Sequence, residues 1–252
     1  MLMLISPAKS LDFESDFNIS KSTKPVFRDK ANQLIKELKK YSVEELQDLM
    51  DISYDLAQLN YDRFRLWQND PEIPATKQAL PAFTGEVFRG IDASSLSEEE
   101  LAWSQEHLRI LSGLYGILRP LDRIQPYRLE MGSKLKIDSK KNLYQFWGDK
   151  ITKEIGKTPS AGDYIINLAS NEYYKSVKPS QLQAKVITPV FKDFNKGELK
   201  VVTVYAKNAR GQMVRYIIKN KINDPEKLKL FDVNGYAYDD KLSDEHRMVF
   251  VR

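Results

Sequence analysis

The chain opens on an unbroken apolar run, Met1 to Ile5, halted by Ser6-Pro7, which is the pattern of a strand covered on both faces. From about Lys24 to Gln68 the apolar positions move to helical spacing: Leu34, Ile35 and Leu38, then Leu46, Leu49 and Met50, recur three and four residues apart. Ser42 with Glu45 forms a capping box for the second of these helices. Ser97 with Glu100 forms another, opening a helix that runs through His107 to Leu111. Between them, "QNDPEIPATKQALPAF" (68–83) carries three prolines and predicts a surface loop. Past Gly156 the texture changes. "YIINLAS", "AKVITPVF" and "LKVVTVYA" are β-branched apolar runs bounded by turn residues, hence strands near the middle of a sheet. "ARGQMVRYIIKNKI" returns to helical spacing on a helix beginning near Asn208, with Met213, Val214, Ile217, Ile218 and Ile222 on one face, and "GYAYDD…RMVFVR" reads as a closing hairpin. The pattern predicts a single α/β domain over residues 1–252, with an α+β tendency. A mixed central sheet is surrounded by helices, with a helix-rich first half (about 1–155) and a strand-rich second half (about 156–252).

One stretch resists both periods. "LSGLYGILRPLDRIQPYRLEMG" (111–132) packs glycines, prolines and arginines together, which neither a helix nor a strand interior tolerates. Read from the residues, a helix ends near Leu111, Gly113 to Gly116 turns the chain, and a short second helix follows over Leu118 to Ile124. That is the outline of a helix-hairpin-helix, whose glycine turn frees backbone N–H groups for a phosphate oxygen. Arg109, Arg119, Arg123 and Arg128 supply positive charge around it. The alternative is an ordinary αα-corner with surface arginines.

Composition changes the picture in two ways. The 252 residues contain no cysteine, so disulfide-linked partners, thiolate metal sites and peroxidatic thiols are excluded. With only two histidines, His107 and His246, no metal site is predicted, and no cofactor signature is present. Net charge is only +4, 39 Lys+Arg against 35 Asp+Glu, so a polyanion partner requires the positive charge to be gathered on a patch. The opening apolar run is too short for a signal peptide and no segment approaches membrane-spanning length; the expectation is a cytoplasmic protein with no membrane partner.

A second basic feature lies between Leu199 and Asn223, where Lys200, Lys207, Arg210, Arg215, Lys219 and Lys221 occur without a single acidic residue. Either this is a solvated face over a core helix, or, with the arginine-rich corner, it forms a positively charged cleft. Strand ends offer a third feature. Ligands of α/β sheets sit beyond the carboxyl ends of the strands. Ser6 to Lys9, Ser170, Lys207 and Arg210 all follow predicted strands, and with Arg128 and Glu130 they predict a phosphate or nucleotide pocket. Lys9, Glu130 and Ser170 are its candidate catalytic residues, Lys9 as a Schiff-base amine and Glu130 as general acid or base. The bland reading pairs Glu130 with Arg128 as a structural ion pair.

Five separated blocks, "LISPAKSLDF", "LSGLYGILRPLDRIQPYRLEMG", "LYQFWGDKI", "INLASNEYYKSVKP" and "YAKNARGQMVRYII", resemble the YaaA family of bacterial peroxide-stress proteins over nearly the whole chain and in the same order. The resemblance implies a DNA-binding protein of the oxidative stress response, linked to DNA repair and lowered free iron. It also implies a single α/β domain with a helix-hairpin-helix and a positively charged cleft. The expected DNA contacts, of low sequence specificity, are Arg109, Gly113, Gly116, Arg119, Arg123, Arg128, Lys207, Arg210, Arg215 and Lys219. A glycosylase- or lyase-like enzyme using Lys9 and Glu130 is the rival expectation.

Overall fold

The structure is a computed structural model that describes residues 1–17, 19–72, 75–195 and 197–252. Its strands are β1 (Leu2–Ile5), β2 (Ser10–Leu11), β3 (Lys77–Gln78), β4 (Phe83–Thr84), β5 (Leu108–Ser112), β6 (Gly116–Leu118), β7 (Arg123–Ile124), β8 (Tyr164–Asn167), β9 (Lys185–Asn195), β10 (Glu198–Lys200), β11 (Ala237–Asp244) and β12 (Arg247–Val251). Its helices are α1 (Arg28–Leu38), α2 (Val43–Met50), α3 (Tyr54–Arg65), α4 (Ala79–Ala82), α5 (Glu86–Ile91), α6 (Glu98–His107), α7 (Leu143–Trp147), α8 (Lys150–Gly156), α9 (Asn171–Tyr174) and α10 (Thr203–Lys219).

Among the described residues, an eight-stranded mixed sheet in the order β11-β12-β9-β8-β1-β5-β6, with β10 added to β9, forms the centre of one α/β domain. Strands β12, β9, β8, β1 and β5 are mutually parallel, and antiparallel strands close both edges. Strand β1 is buried along its whole length, because helices cover both faces of a parallel core and leave no solvent side for polar alternation. The parallel arrangement also delivers Ile5, Asn167 and Ser112 to the same edge of the sheet. Both capping boxes form as the sequence predicts, at Ser42–Glu45 and Ser97–Glu100, and β11–β12 is the closing hairpin.

The corner differs from its prediction. Helix α6 stops at His107, and residues 108–112 become β5, paired in parallel with β1. The glycine turn then leads into β6, antiparallel to β5 with Leu111 opposite Ile117. The segment is a buried β-hairpin, not a helix-hairpin-helix. Its glycines serve close packing. A Cβ at Gly113 would lie 2.3 Å from the Leu129 carbonyl oxygen. Gly116, at φ +70°, has the Trp147 indole 2.7 Å from where its Cβ would be.

Two other expectations are corrected. The proline-rich stretch is a surface loop only in its first part: Gln68 to Asp70 and Glu72 are exposed without regular structure, whereas Lys77, Gln78, Ala79, Leu80 and Ala82 are buried in β3 and α4, which the pairing of β3 with β7 holds against the core. Of that stretch, Ile73 and Pro74 lie outside the described residues. "LKVVTVYA" yields only the end of β10, and α10 begins at Thr203. Tertiary packing overrides β propensity here, because α10 crosses α5 with backbones in contact. A Cβ at Gly211 would sit 1.9 Å from Val87 O, and one at Gly90 2.4 Å from Asn208 O.

Candidate functional site

Beyond the carboxyl ends of β1 and β8 lies an open cavity of about 490 Å³. The β1–β2 bend brings Ser6 to Ser10 to it. The β8–α9 turn brings Leu168 and Ser170, α5 brings Glu86 to Phe88, and α10 brings Lys207 and Arg210. A larger cavity, of about 820 Å³, sits at the other end of the sheet beside α8 and gathers none of the predicted residues. Chemistry therefore singles out the smaller one.

The strand ends are tied to each other. Ser170 N–H donates to Ser6 Oγ at 2.8 Å, and Ser6 Oγ donates to Ser170 Oγ at 3.2 Å. Ser170 stands at the N-cap position of α9, but its hydroxyl caps nothing and faces the cavity. Glu130 is held between two cations: Oε2 lies 2.8 Å from Lys9 Nζ and Oε1 3.0 Å from Arg128 Nη2. Their side chains are 64% exposed at Lys9, 20% at Glu130 and 14% at Arg128. The bland expectation, a Glu130–Arg128 ion pair, and the expectation of a shared pocket with Lys9 are thus both present in one trio. Arg128 Nε is buried without a hydrogen-bond partner. Glu172, which sequence reasoning did not single out, accepts the Gly132 N–H at 2.9 Å through Oε1. Tyr173, also on the cavity wall, is buried. Burial, reinforced by the neighbouring Tyr127, Glu172 and Glu130, pushes its phenol well above the ordinary range, so it stays a neutral hydroxyl.

Lys207 and Arg210, one turn apart on α10, pair with no carboxylate among the described residues. Burial lowers the proton affinity of the Arg210 guanidinium, yet an arginine keeps its charge. A partly buried cation lacking a counter-charge is costly unless an anion comes from outside.

The other predicted cations are engaged elsewhere. Arg109 is 7% exposed and donates to the carbonyl oxygens of Gln105 and Leu108, both at 2.8 Å. Arg119 pairs with the fully buried Asp122 at 2.8 Å and donates to Lys24 O at 3.0 Å. Arg123 Nε donates to Thr76 Oγ1 at 2.6 Å. Arg215 donates to Ile91 O at 3.0 Å and to Ser95 Oγ, with Asp92 at 3.7 Å, and Lys219 pairs with Glu100 at 2.8 Å. Arg109, Gly113 and Gly116, expected as phosphate contacts, are all buried. For Arg215, Lys219 and Lys221 the carboxylates missing between Leu199 and Asn223 come from far along the chain, from Asp92 at the end of α5 and from Glu100 and Glu99 at the start of α6.

What sequence reasoning missed is the α5 wall, Thr84 to Phe88, and Glu172. Gly85 at φ +120° was its one local signal, marking a sharp entry into a helix. Among the described residues, no three His, Asp or Glu side chains converge as metal ligands would, and no helix is long and apolar enough to cross a membrane.

The family model described as "Peroxide stress protein YaaA" matches residues 1–242. A UPF0246 protein of Teredinibacter turnerae is 52% identical over 258 residues, spanning 100% of this chain and 99% of its own length. UPF0246 proteins of Shewanella loihica and Burkholderia lata are 49% and 46% identical, each alignment covering 100% of this chain and 98% of the relative. With the family model matching residues 1–242 of 252 and relatives 46–52% identical along the whole chain, the chain belongs to the YaaA family of peroxide stress proteins.

Proposed function

We propose that this chain serves the peroxide stress response by binding DNA, and that phosphate groups enter the cavity at the carboxyl ends of β1 and β8. The observation that carries the reading is the pair Lys207 and Arg210, cations on a cavity wall with no carboxylate of their own. Lys9 adds a third cation at the rim, and the Ser170 hydroxyl a neutral donor. Such contacts hold the backbone and carry no sequence information, so binding is of low sequence specificity and weakens steeply as salt displaces the phosphates. Links to repair and to free iron would follow downstream of that contact.

Fluorescence anisotropy on labelled DNA over a salt series tests it. Lys207→Ala and Arg210→Ala should each lower affinity several-fold, roughly tenfold for a charge-assisted contact, and flatten the salt slope. Arg215→Ala and Lys219→Ala should leave both unchanged, since their partners are within the fold. Equal effects from both pairs would mean that the contact surface lies elsewhere.

One observation favours a second reading. Lys9, Glu130 and Ser170, the candidate catalytic residues, line the same cavity, as a lyase acting on an abasic sugar would need. Against the Schiff-base version, Lys9 is 64% exposed and ion-paired, without the desolvation that frees an amine for attack. Borohydride trapping on abasic DNA separates the two: a covalent adduct lost in Lys9→Ala favours the enzyme, and no adduct favours binding alone.

A further inference from the structure

The cavity contains more than a phosphate or a duplex backbone could use. Its volume of about 490 Å³ falls in the range of about 300–1,000 Å³ that small organic ligands occupy, and inorganic phosphate would leave most of it empty. Phe88, Leu168 and Tyr173 give it an apolar wall. Positive charge and hydrogen-bond acceptors come from different elements: Lys207 and Arg210 from α10, Glu172 from α9. Glu172 uses Oε1 for the Gly132 N–H and keeps Oε2 as a free acceptor. Each feature asks for a matching part in the ligand: an anion for the cations, a flat apolar body for the wall, and an N–H or O–H donor for Glu172. A carboxylate in the same cavity also repels a ligand that is anionic at both ends.

We infer that the cavity holds a single nucleotide unit, with its phosphate on Lys207 and Arg210, its base or sugar against Phe88 and Tyr173, and a base or sugar donor on Glu172. This rests on the DNA-binding reading and narrows it: what enters is one nucleotide carrying one phosphate, not a stretch of continuous duplex. The Ser170 hydroxyl, which accepts from Ser6 and has its own hydrogen available, adds a donor for the phosphate.

Calorimetric titration of the full chain with nucleoside 5′-monophosphates, unphosphorylated nucleosides and inorganic phosphate tests the inference. Expected is monophosphate binding at least about tenfold tighter than that of nucleoside or phosphate alone, since each part contributes separate contacts. Glu172→Gln keeps an acceptor for Gly132 N–H. It should weaken monophosphate binding several-fold while phosphate binds as before or tighter, and an unchanged melting temperature verifies that the variant is folded. Phosphate binding as tight as any nucleotide would reduce the cavity to an anion site and overturn the inference. So would absence of nucleotide binding in a protein whose DNA affinity still falls with Lys207→Ala and Arg210→Ala, a result that leaves the DNA-binding reading standing. If neither DNA nor nucleotides respond to those substitutions, both readings fail.

Discussion

The segment from Arg109 to Arg123 and the first turns of α10 look alike as strings, each a cluster of cations with few carboxylates beside them, yet they are opposites in the fold. In the first, the guanidinium groups point inward or along the surface to backbone carbonyls and to the fully buried Asp122, which also takes the Thr23 hydroxyl at 2.6 Å and the Arg119 N–H at 2.8 Å. In the second, Lys207 and Arg210 open onto a cavity without pairing to any carboxylate among the described residues. The same helix repeats the contrast along its own length, because Arg215 and Lys219 are tied to Asp92, Ser95 and Glu100. Positive charge is therefore no guide to a ligand until its partners are known, and an arginine's five donors suit it to organising carbonyls inside a protein as well as to phosphate.

The largest effect that would break this contrast is at Arg119. Arg119→Ala leaves a fully buried carboxylate without its cation and should cost about 3 kcal/mol of stability. Urea denaturation measures the loss, while DNA affinity of the folded protein stays the same. A stable variant with weakened DNA binding would place the corner among the ligand contacts after all. Lys207→Ala and Arg210→Ala should do the reverse, with affinity lost and the urea midpoint held. The smallest effect concerns the turn that follows β2. Asp12 accepts the N–H groups of Glu14 and Ser15, both at 2.9 Å. These bonds, the Ser15 contacts foremost, hold its carboxyl at about 2, below the ordinary value. Because the folded form holds the proton less tightly than the unfolded chain, the contribution is whole at neutral pH and is lost as pH falls from about 4 to about 2. The acid limb of the melting curve should be shallower in Asp12→Asn, and identical limbs would show that the loop's geometry does not depend on this carboxylate.

Much of the fold was legible because it is local. The apolar run of β1, the β-branched runs of β8 and β9, both capping boxes and the aliphatic face of α10 each follow from spacing within a few residues. Strand β5 was not, because "LRILS" follows a helix without a break and its pairing with β1 is a contact over a hundred residues long. Nor was the true start of α10, where Val202, Val204 and Tyr205 favour a strand and the Gly90–Gly211 approach decides for a helix. At the site, Lys9, Ser170, Lys207 and Arg210 could be picked out as residues following apolar runs. Glu172 and the α5 wall could not, since Gly85 marks no more than a sharp entry into a helix and only the assembled sheet edge brings them to the cavity.

The crossing of α5 and α10 through two glycines has a mechanical consequence. Two helices in backbone contact have no side-chain layer to slide on, so the walls bearing Phe88 and Arg210 move as one piece and cannot part to admit a bulkier guest. Any give at the mouth has to come from the Ser6–Ser10 bend and the β8–α9 turn tied to it through Ser6 and Ser170, which makes that linked pair, and not the helices, the gauge of what fits.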